Sequence, residues 1–248
     1  TVTVTENGTV LATKTCEDDD QILDLAFNLA EGTHHLVITT EDVAGNRTTL
    51  EQTVVIDNTA PTTANLTMTP DTGAAGDFIT QLAVDELLIF SGALSEERVT
   101  TTISEGETVL ASMAREDDVQ SFDLAFPLAE GVHALVITTT DQAGNSTVLE
   151  QTVIIDNSAP SLANLTMTPD TGATGDFITQ LPADAQLTFS GTLSEKRVTV
   201  TITEGGNTLA TKTCEGDDQA FSLAFSLAEG KHNLAITSVD QAANTSIR

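Results

Sequence analysis

The chain has 248 residues, with 37 Asp and Glu against nine Lys and Arg, a formal net charge of −28, and neither Trp nor Tyr. Nucleic-acid binding depends on Lys and Arg displacing counterions from phosphates, so this charge argues against a nucleic-acid-binding protein. No run approaches the roughly 18 apolar residues of a membrane-spanning helix. Residues 1–10 have neither the basic region nor the apolar core of a signal peptide, so we expect no membrane insertion and no export signal here.

A repeat with a period of 99 residues organises the chain. The segment Asp57–Pro61 returns 99 residues later as Asp156–Pro160, and the loop Pro70–Thr80 returns as Pro169–Thr179. Two shorter motifs occur three times each. Leu-Ala-Glu-Gly begins at Leu29, Leu128 and Leu227, and Asp-x-Ala-(Gly/Ala)-Asn begins at Asp42, Asp141 and Asp240. Self-similarity at a fixed period indicates tandem modules.

We place the module boundaries at the Asn-x-Ala-Pro linkers. Residues 1–57 are then the C-terminal part of a first repeat, residues 58–156 a complete second repeat, and residues 157–248 a third repeat without its last strand. We expect the chain to be part of a longer array. At the incomplete repeats we expect either disorder or a neighbouring segment that supplies the missing strand.

Within a repeat, apolar and polar residues alternate with the period of two that is typical of half-buried strands. In chain order, the strands of the second repeat are marked by Leu66/Met68, Leu88/Phe90, Val99/Ile103, 108–114, Phe122/Leu124/Phe126, Leu135/Ile137 and Val153/Ile155. About seven short strands in 99 residues, with Gly and Pro in the turns, predict tandem immunoglobulin-like β-sandwiches, end to end. The fold class is therefore all-β, and no segment has a helical period.

The core of each sandwich lacks the Cys-Trp-Cys signature of immunoglobulin domains. We expect it to be packed by aliphatic and Phe side chains, with the Phe122 trio recurring as Leu23/Leu25/Phe27 and Phe221/Leu223/Phe225. The two cysteines, Cys16 and Cys214, occupy the same position of different repeats, which excludes a disulfide within one module. Because Arg115 takes that position in the second repeat, we expect it to face solvent.

The second repeat has a net charge of −14. This negative charge must either be solvated by water or be neutralised by bound cations. Seven strands in this order place four carboxylates at the end that meets the next module, and two more on that module's facing end. The first set is Asp71, Asp77, Glu130 and Asp156, and the second is Glu195 and Asp240, with Asn244 nearby. The period predicts a counterpart at the first junction from Glu31, Asp57, Glu96 and Asp141. Ca²⁺ takes six to eight oxygen ligands and suits such groups.

Two structural alternatives remain open for these residues. Surface carboxylates also keep a protein soluble without binding any ion. Asp71 and Asp141 can instead hydrogen-bond to their own loops, with glycines such as Gly73 supplying positive φ. None of the stretches is the contiguous acidic loop of an EF-hand, so a metal site would have to be assembled by the fold.

The linker Asp-Asn-(Thr/Ser)-Ala-Pro, the loop Pro-Asp-Thr-Gly-x-x-Gly-Asp-x-Ile-Thr and the turn Asp-x-Ala-Gly-Asn, in this order, resemble the bacterial Ig-like repeats of giant, type I-secreted RTX-type surface adhesins. The resemblance covers nearly the entire chain. It implies an extracellular spacer region on a bacterial surface, usually Gram-negative, that is stiffened by calcium. It favours calcium at the ten carboxylates named above.

The function expected from this resemblance is a calcium-rigidified extender that projects a distal adhesive domain for attachment and biofilm formation. Its partners would be neighbouring repeats, in an extended monomer. An alternative is that the repeats themselves bind a glycan or a host protein, although binding faces are usually rich in Tyr, Trp and Arg. Another is a subunit of a self-assembling surface filament. We expect no enzyme, because catalytic motifs are absent and the periodic His34, His133 and His232 suit partly exposed packing positions better than general bases.

Overall fold

The structure is a computed structural model that describes residues 1–16, 23–116, 118–182 and 185–248. Those residues form strands, turns and loops without a helix, and therefore without a helix that could cross a membrane. The chain divides into two compact units. Unit 1 consists of Thr1–Thr62 and Thr140–Thr147, and unit 2 of Thr63–Thr139 and Val148–Arg248.

Unit 1 contains one antiparallel sheet with the strand order β2-β1-β3-β4. Its strands are β1 (Val2–Glu6), β2 (Thr9–Lys14), β3 (Gly32–Glu41) and β4 (Arg47–Ile56). The turn between β1 and β2 is tight because Asn7 and Gly8 both adopt positive φ, at 48° and 79°. The two long strands, β3 and β4, pair over their whole length of 10 residues.

The second repeat is a two-layer sandwich. Its strands are β5 (Thr63–Thr69), β6 (Ile79–Thr80), β7 (Leu88–Leu94), β8 (Thr100–Glu105), β9 (Thr108–Ala114), β10 (Ser121–Phe126), β11 (Gly131–Thr140) and β12 (Ser146–Ile155). One sheet has the order β10-β7-β5 and the other the order β6-β12-β11-β8-β9. The seven predicted strands are all present, and the additional strand β6 pairs in parallel with the end of β12.

The third repeat forms the same two layers. Its strands are β13 (Leu162–Thr168), β14 (Leu187–Leu193), β15 (Thr199–Glu204), β16 (Asn207–Thr213), β17 (Ala220–Phe225), β18 (Leu234–Val239) and β19 (Thr245–Ile247). The sheets have the orders β13-β14-β17 and β16-β15-β18-β19. The predicted all-β class of tandem immunoglobulin-like sandwiches is therefore confirmed.

The cores of the two sandwiches are aliphatic and phenylalanine-rich, as the alternation predicts. Phe90 and Phe126 are 0% and 1% exposed, and their ring centroids lie 5.7 Å apart. The trios of β10 and β17 are buried in both repeats. In unit 1 the equivalent residues Leu23, Leu25 and Phe27 are only half-buried and form no strand, so that part of the prediction is wrong. In the second repeat β10 pairs with β7, and the described residues among 1–62, which are 1–16 and 23–62, contain no equivalent of β7.

The cysteine position is not uniformly exposed. Cys16 is exposed, but Cys214 is buried, so the predicted solvent-facing position is wrong for the third repeat. The Cys214 amide donates to the Val198 carbonyl at 3.0 Å, and its thiol lies 3.5 Å from the Ala220 carbonyl. Burial raises the pKa of this thiol, which leaves it protonated and unreactive.

Candidate metal centre

The turn Asp240–Asn244, between β18 and β19, is closed by its own side chains. The Asn244 amide donates to Asp240 Oδ1 at 2.8 Å, and Asn244 Nδ2 donates to Asp240 Oδ2 at 2.9 Å. Asn244 Nδ2 also donates to the Asp156 carbonyl at 2.8 Å. One asparagine therefore fixes the Asp240 carboxylate and attaches the turn to the linker that follows β12.

Three carboxylates meet at this turn. Asp156, Glu195 and Asp240 each present an oxygen, and the three oxygens lie within 4.8 Å of one another. Asp240 is 9% exposed, and the other two are half-buried. Among the residues that the structure describes, no cationic side chain forms an ion pair with any of them. Three carboxylates therefore converge without an ion pair to a cationic side chain in the described part of the chain.

The pKa values of two members reflect this convergence. Burial raises the pKa of Glu195, and the charges of Asp156 and Asp240 raise it further. Burial also raises the pKa of Asp240, against hydrogen bonds from Asn244 that lower it, and the charge of Asp156 adds to the rise. Both shifts mean that the charged forms are disfavoured in the protein alone, which a bound cation would reverse.

The loop between β5 and β6 packs against the same turn. Thr72 Oγ1 donates to the Ala242 carbonyl at 2.6 Å. Gly73 adopts a φ of +86°, and a Cβ at this position would lie 2.0 Å from the Gln241 carbonyl oxygen. Only glycine allows this approach, because the neighbouring atom belongs to the backbone and cannot rotate away.

Asp71 and Asp77 of this loop bind their own backbone. Asp71 Oδ2 accepts a hydrogen bond from the Gly76 amide at 2.6 Å, and Asp77 Oδ1 accepts one from the Ile79 amide at 3.0 Å. The other oxygen of Asp71 is buried without a hydrogen-bond partner, as is that of its counterpart Asp170. Asp77 also lines a cleft of about 530 Å³ that Asp240 borders from the opposite module.

Glu31 and Glu130 contact linker hydroxyls. The Ser158 hydroxyl donates to Glu130 Oε1 at 2.7 Å, and in unit 1 the Thr59 hydroxyl donates to Glu31 Oε1 at 2.5 Å. The structure does not bring Glu130 into the group of Asp156, Glu195 and Asp240. The sequence offers a signal for this contact in retrospect, since a glutamate and a hydroxyl residue recur at a fixed separation of 28 residues.

The remaining predicted ligands belong to the first junction. Asp57 and Asp141 lie in unit 1, whereas Glu96 lies in unit 2. Asn145 Nδ2 donates to the Asp57 carbonyl at 3.1 Å and to Asp141 Oδ2 at 2.8 Å. These contacts repeat those of Asn244, and a metal-binding role for Asp57, Glu96 and Asp141 stays a prediction.

The donor chemistry of Asp156, Glu195 and Asp240 fits a hard divalent cation. Oxygens that surround one Ca²⁺ at 2.3–2.6 Å lie up to about 5 Å apart, so a spread of 4.8 Å is compatible with one shared ion. Three carboxylates offer up to six oxygens, and neither a thiol nor an imidazole is among the donors. The cluster could hold a metal ion.

Sequence comparison identifies the modules. The profile of the bacterial Ig-like domain matches residues 59–157 and again residues 158–248. The chain belongs to the bacterial Ig-like domain family. No curated protein matches it significantly.

Several solved structures resemble these bacterial Ig-like domains at low identity. A Ca²⁺-stabilized adhesin that helps an Antarctic bacterium reach out and bind ice is 20% identical over 100% of this chain, with a TM-score of 0.34. Fibronectin(III)-like modules of CbhA from Clostridium thermocellum are 12% identical over 74% of this chain and 90% of theirs, with a TM-score of 0.42. A tetra-tandem repeat in the extending region of a large adhesion protein is 19% identical over 100% of this chain and 64% of its own, with a TM-score of 0.31. The chain spans 62% of the Antarctic adhesin structure.

Proposed function

We propose that the chain is part of a calcium-rigidified extender region of a bacterial cell-surface adhesin. In this role it projects a distal adhesive domain away from the surface of a bacterium, for attachment to cells or surfaces and for biofilm formation. The observation that carries the proposal is the convergence of Asp156, Glu195 and Asp240 within 4.8 Å at the linker between two bacterial Ig-like domains. Membership of that family supports a structural role.

The three carboxylates come from both sides of the linker. Asp156 directly follows β12, whereas Glu195 follows β14 and Asp240 follows β18 of the next module. Bound Ca²⁺ supplies the positive charge that these groups lack. Ligation by all three restricts the direction in which the third repeat leaves the second, because the linker and the following module then share one rigid set of ligands.

Several hydrogen bonds and a proline restrict the conformation of the linker before an ion binds. The Ser158 amide donates to Asp156 Oδ1 at 3.0 Å, which orients the carboxylate, and Ser246 Oγ donates to the Pro160 carbonyl. Pro160 also fixes its own φ, which reduces the freedom of the linker. Less conformational entropy is then lost when an ion binds.

The proposed location is the outside of the cell, on a Gram-negative surface, with neighbouring repeats as the partners. Calcium sites of extracellular modules have dissociation constants of about 10⁻⁴–10⁻³ M. A site in this range is filled outside the cell and largely empty inside it, so the array stays loose until export. The net charge of −28 fits this setting, because it keeps a surface protein soluble and away from nucleic acids.

Thermal unfolding with and without calcium tests the proposal. The chain is unfolded in EDTA, in millimolar Ca²⁺ and in millimolar Mg²⁺ as a control for ionic strength. Calcium should raise the Tm by an amount that corresponds to about 2.7 kcal/mol at 100 times the dissociation constant. Small-angle scattering should report a narrower range of module orientations with calcium. An unchanged Tm and scattering curve in calcium would rule out this role for the cluster.

A further inference from the structure

One histidine per repeat bridges a strand end and a turn in the same way in all three repeats. In the third repeat, His232 Nδ1 lies 2.8 Å from Glu204 Oε1, and His232 Nε2 lies 2.9 Å from the Ala228 carbonyl. The corresponding distances are 3.0 and 2.9 Å at His133, and 2.8 and 2.8 Å at His34. The glutamate partners are Glu6, Glu105 and Glu204, the last residues of β1, β8 and β15.

Both partners of each imidazole are hydrogen-bond acceptors. A carboxylate and a backbone carbonyl cannot donate, and a neutral imidazole carries only one N–H. In the neutral form one ring nitrogen therefore points its lone pair at an oxygen. The two contacts are both hydrogen bonds only when the ring is an imidazolium, and then one of them is a charge-assisted bond to a carboxylate.

The surroundings favour the imidazolium. The side chains of His34 and His232 are 12% and 21% exposed. The alanine carbonyl raises the pKa of each ring above its ordinary value of 6.5, the hydrogen bond to the glutamate raises it further, and burial opposes both. Among the described residues, Glu6 and Glu204 are the ionisable groups that contribute to these shifts, and no cationic side chain contributes.

The turn held by each histidine is the Leu-Ala-Glu-Gly turn, and it leads on to the linker. In the second repeat, His133 binds the Ala129 carbonyl, and the next residue, Glu130, accepts from the Ser158 hydroxyl at 2.7 Å. Unit 1 repeats this series with His34, Ala30, Glu31 and Thr59. The histidine thus anchors the turn whose glutamate holds the first residues of the linker.

We propose that His34 and His232 are proton-dependent clamps that fasten the Leu-Ala-Glu-Gly turn to the preceding β-hairpin. When the imidazole is protonated, it donates hydrogen bonds to both the glutamate and the alanine carbonyl. When it is deprotonated, one of these two hydrogen bonds is lost. The first and third repeats are then more stable in mildly acidic than in alkaline solution, and this response does not depend on a metal ion.

The sign of the pH dependence follows from the direction of the shifts. Folding raises the pKa of His34 and His232. The stabilisation is therefore complete below the unfolded value of about 6.5, and it is lost as the pH rises through the folded pKa.

The first test is an NMR titration of the histidine rings of the complete chain in EDTA. His34 and His232 should titrate above 6.5. Glu204→Gln should move the midpoint of His232 towards 6.5 and leave that of His34 in place, and Glu6→Gln should do the reverse. Titration of both wild-type rings at or below 6.5, or an unchanged His232 midpoint in Glu204→Gln, would overturn the clamp.

The second test measures stability against pH, again in EDTA so that it is independent of the proposed calcium site. His232→Gln should lower the Tm at pH 5.5 and have a smaller effect at pH 9. His35→Gln is the matched control, because His35 is exposed and contacts the Thr53 hydroxyl at 3.1 Å rather than a carboxylate. An equal loss at both pH values in His232→Gln would contradict the clamp. If this variant does not fold, the titration of the wild-type chain decides.

Discussion

The turns at Asp42 and Asp240 have the same internal hydrogen bonds, but the pKa values of the two aspartates are shifted in opposite directions. In each, the asparagine four residues later donates through its amide and its side chain to the two carboxylate oxygens, at 2.7–2.9 Å. Yet these hydrogen bonds lower the pKa of Asp42, which is exposed, whereas burial and the charge of Asp156 raise that of Asp240.

The difference shows that the turn motif alone does not make a candidate ligand. Asp42 is a carboxylate that its turn satisfies, and it needs nothing more. Asp240 is the same residue with Asp156 and Glu195 brought within 4.8 Å, where the hydrogen bonds of the turn no longer compensate the negative charge. The predictions below separate the contribution of the turn from that of its surroundings.

The largest effect is expected where the loop between β5 and β6 meets the turn. Gly73→Ala should destabilise the chain by about 2–5 kcal/mol, because it combines an unfavourable positive φ with a clash against the Gln241 carbonyl. Gly172→Ala is the matched control, since Gly172 has a φ of +94° but no atom within 4 Å of its added Cβ. Denaturant unfolding measures both, and equal losses would show that the close approach is unimportant.

A smaller effect, with a sign that depends on calcium, is expected for the carboxylates themselves. Asp240→Asn and Asp42→Asn lose the same bond to the asparagine side chain, so their difference isolates the cluster. In calcium, Asp240→Asn should lower the free energy of unfolding by up to about 2.7 kcal/mol, which is the full stabilisation expected from Ca²⁺ at 100 times its dissociation constant. In EDTA, Asp240→Asn should lower the Tm less than Asp42→Asn does, because it also removes a negative charge that Asp156 repels. The Tm of each variant in both buffers is the measurement, and the same ranking in both would refute a metal role for Asp240.

The smallest effect concerns carboxyl titration in EDTA. Asp156→Asn should lower the pKa of Glu195 and of Asp240, because the charge of Asp156 raises both, and should leave that of Asp42 unchanged. The sign for stability follows. The contribution of Asp42 is lost as pH falls through its lowered pKa, whereas protonation of Asp240 and Glu195 at acidic pH relieves repulsion. Carbon-detected NMR of the carboxyl groups provides the values, and an Asp240 that is insensitive to Asp156→Asn would show that burial alone sets its pKa.

Much of the fold could be predicted because it depends on local patterns that recur. The alternation around Phe122 and Phe221 predicts buried strands, and both are buried. The same alternation fails at Leu23, Leu25 and Phe27, since a strand also needs a partner for its backbone, which the local sequence does not report.

The candidate site could be predicted only in part. The order of the strands was enough to place Asp156, Glu195 and Asp240 at one junction, although whether they bind calcium stays a prediction. The contact of Gly73 with Gln241 could not be foreseen, because it depends on the distance between two backbones. The bonds of the periodic histidines to Glu6, Glu105 and Glu204 were missed, although each pair is 28 residues apart in every repeat.

Several contacts between the second and third repeats are made to backbone carbonyl groups. Thr72 and Gly73 approach the carbonyls of Ala242 and Gln241, and Asn244 reaches the carbonyl of Asp156. Every residue type presents the same carbonyl, so these contacts tolerate sequence change at Gln241 and Ala242. Exchange of the side chains at Gln241 and Ala242 should therefore leave this joint intact, whereas the same joint depends on the identity of Thr72, Gly73 and Asn244.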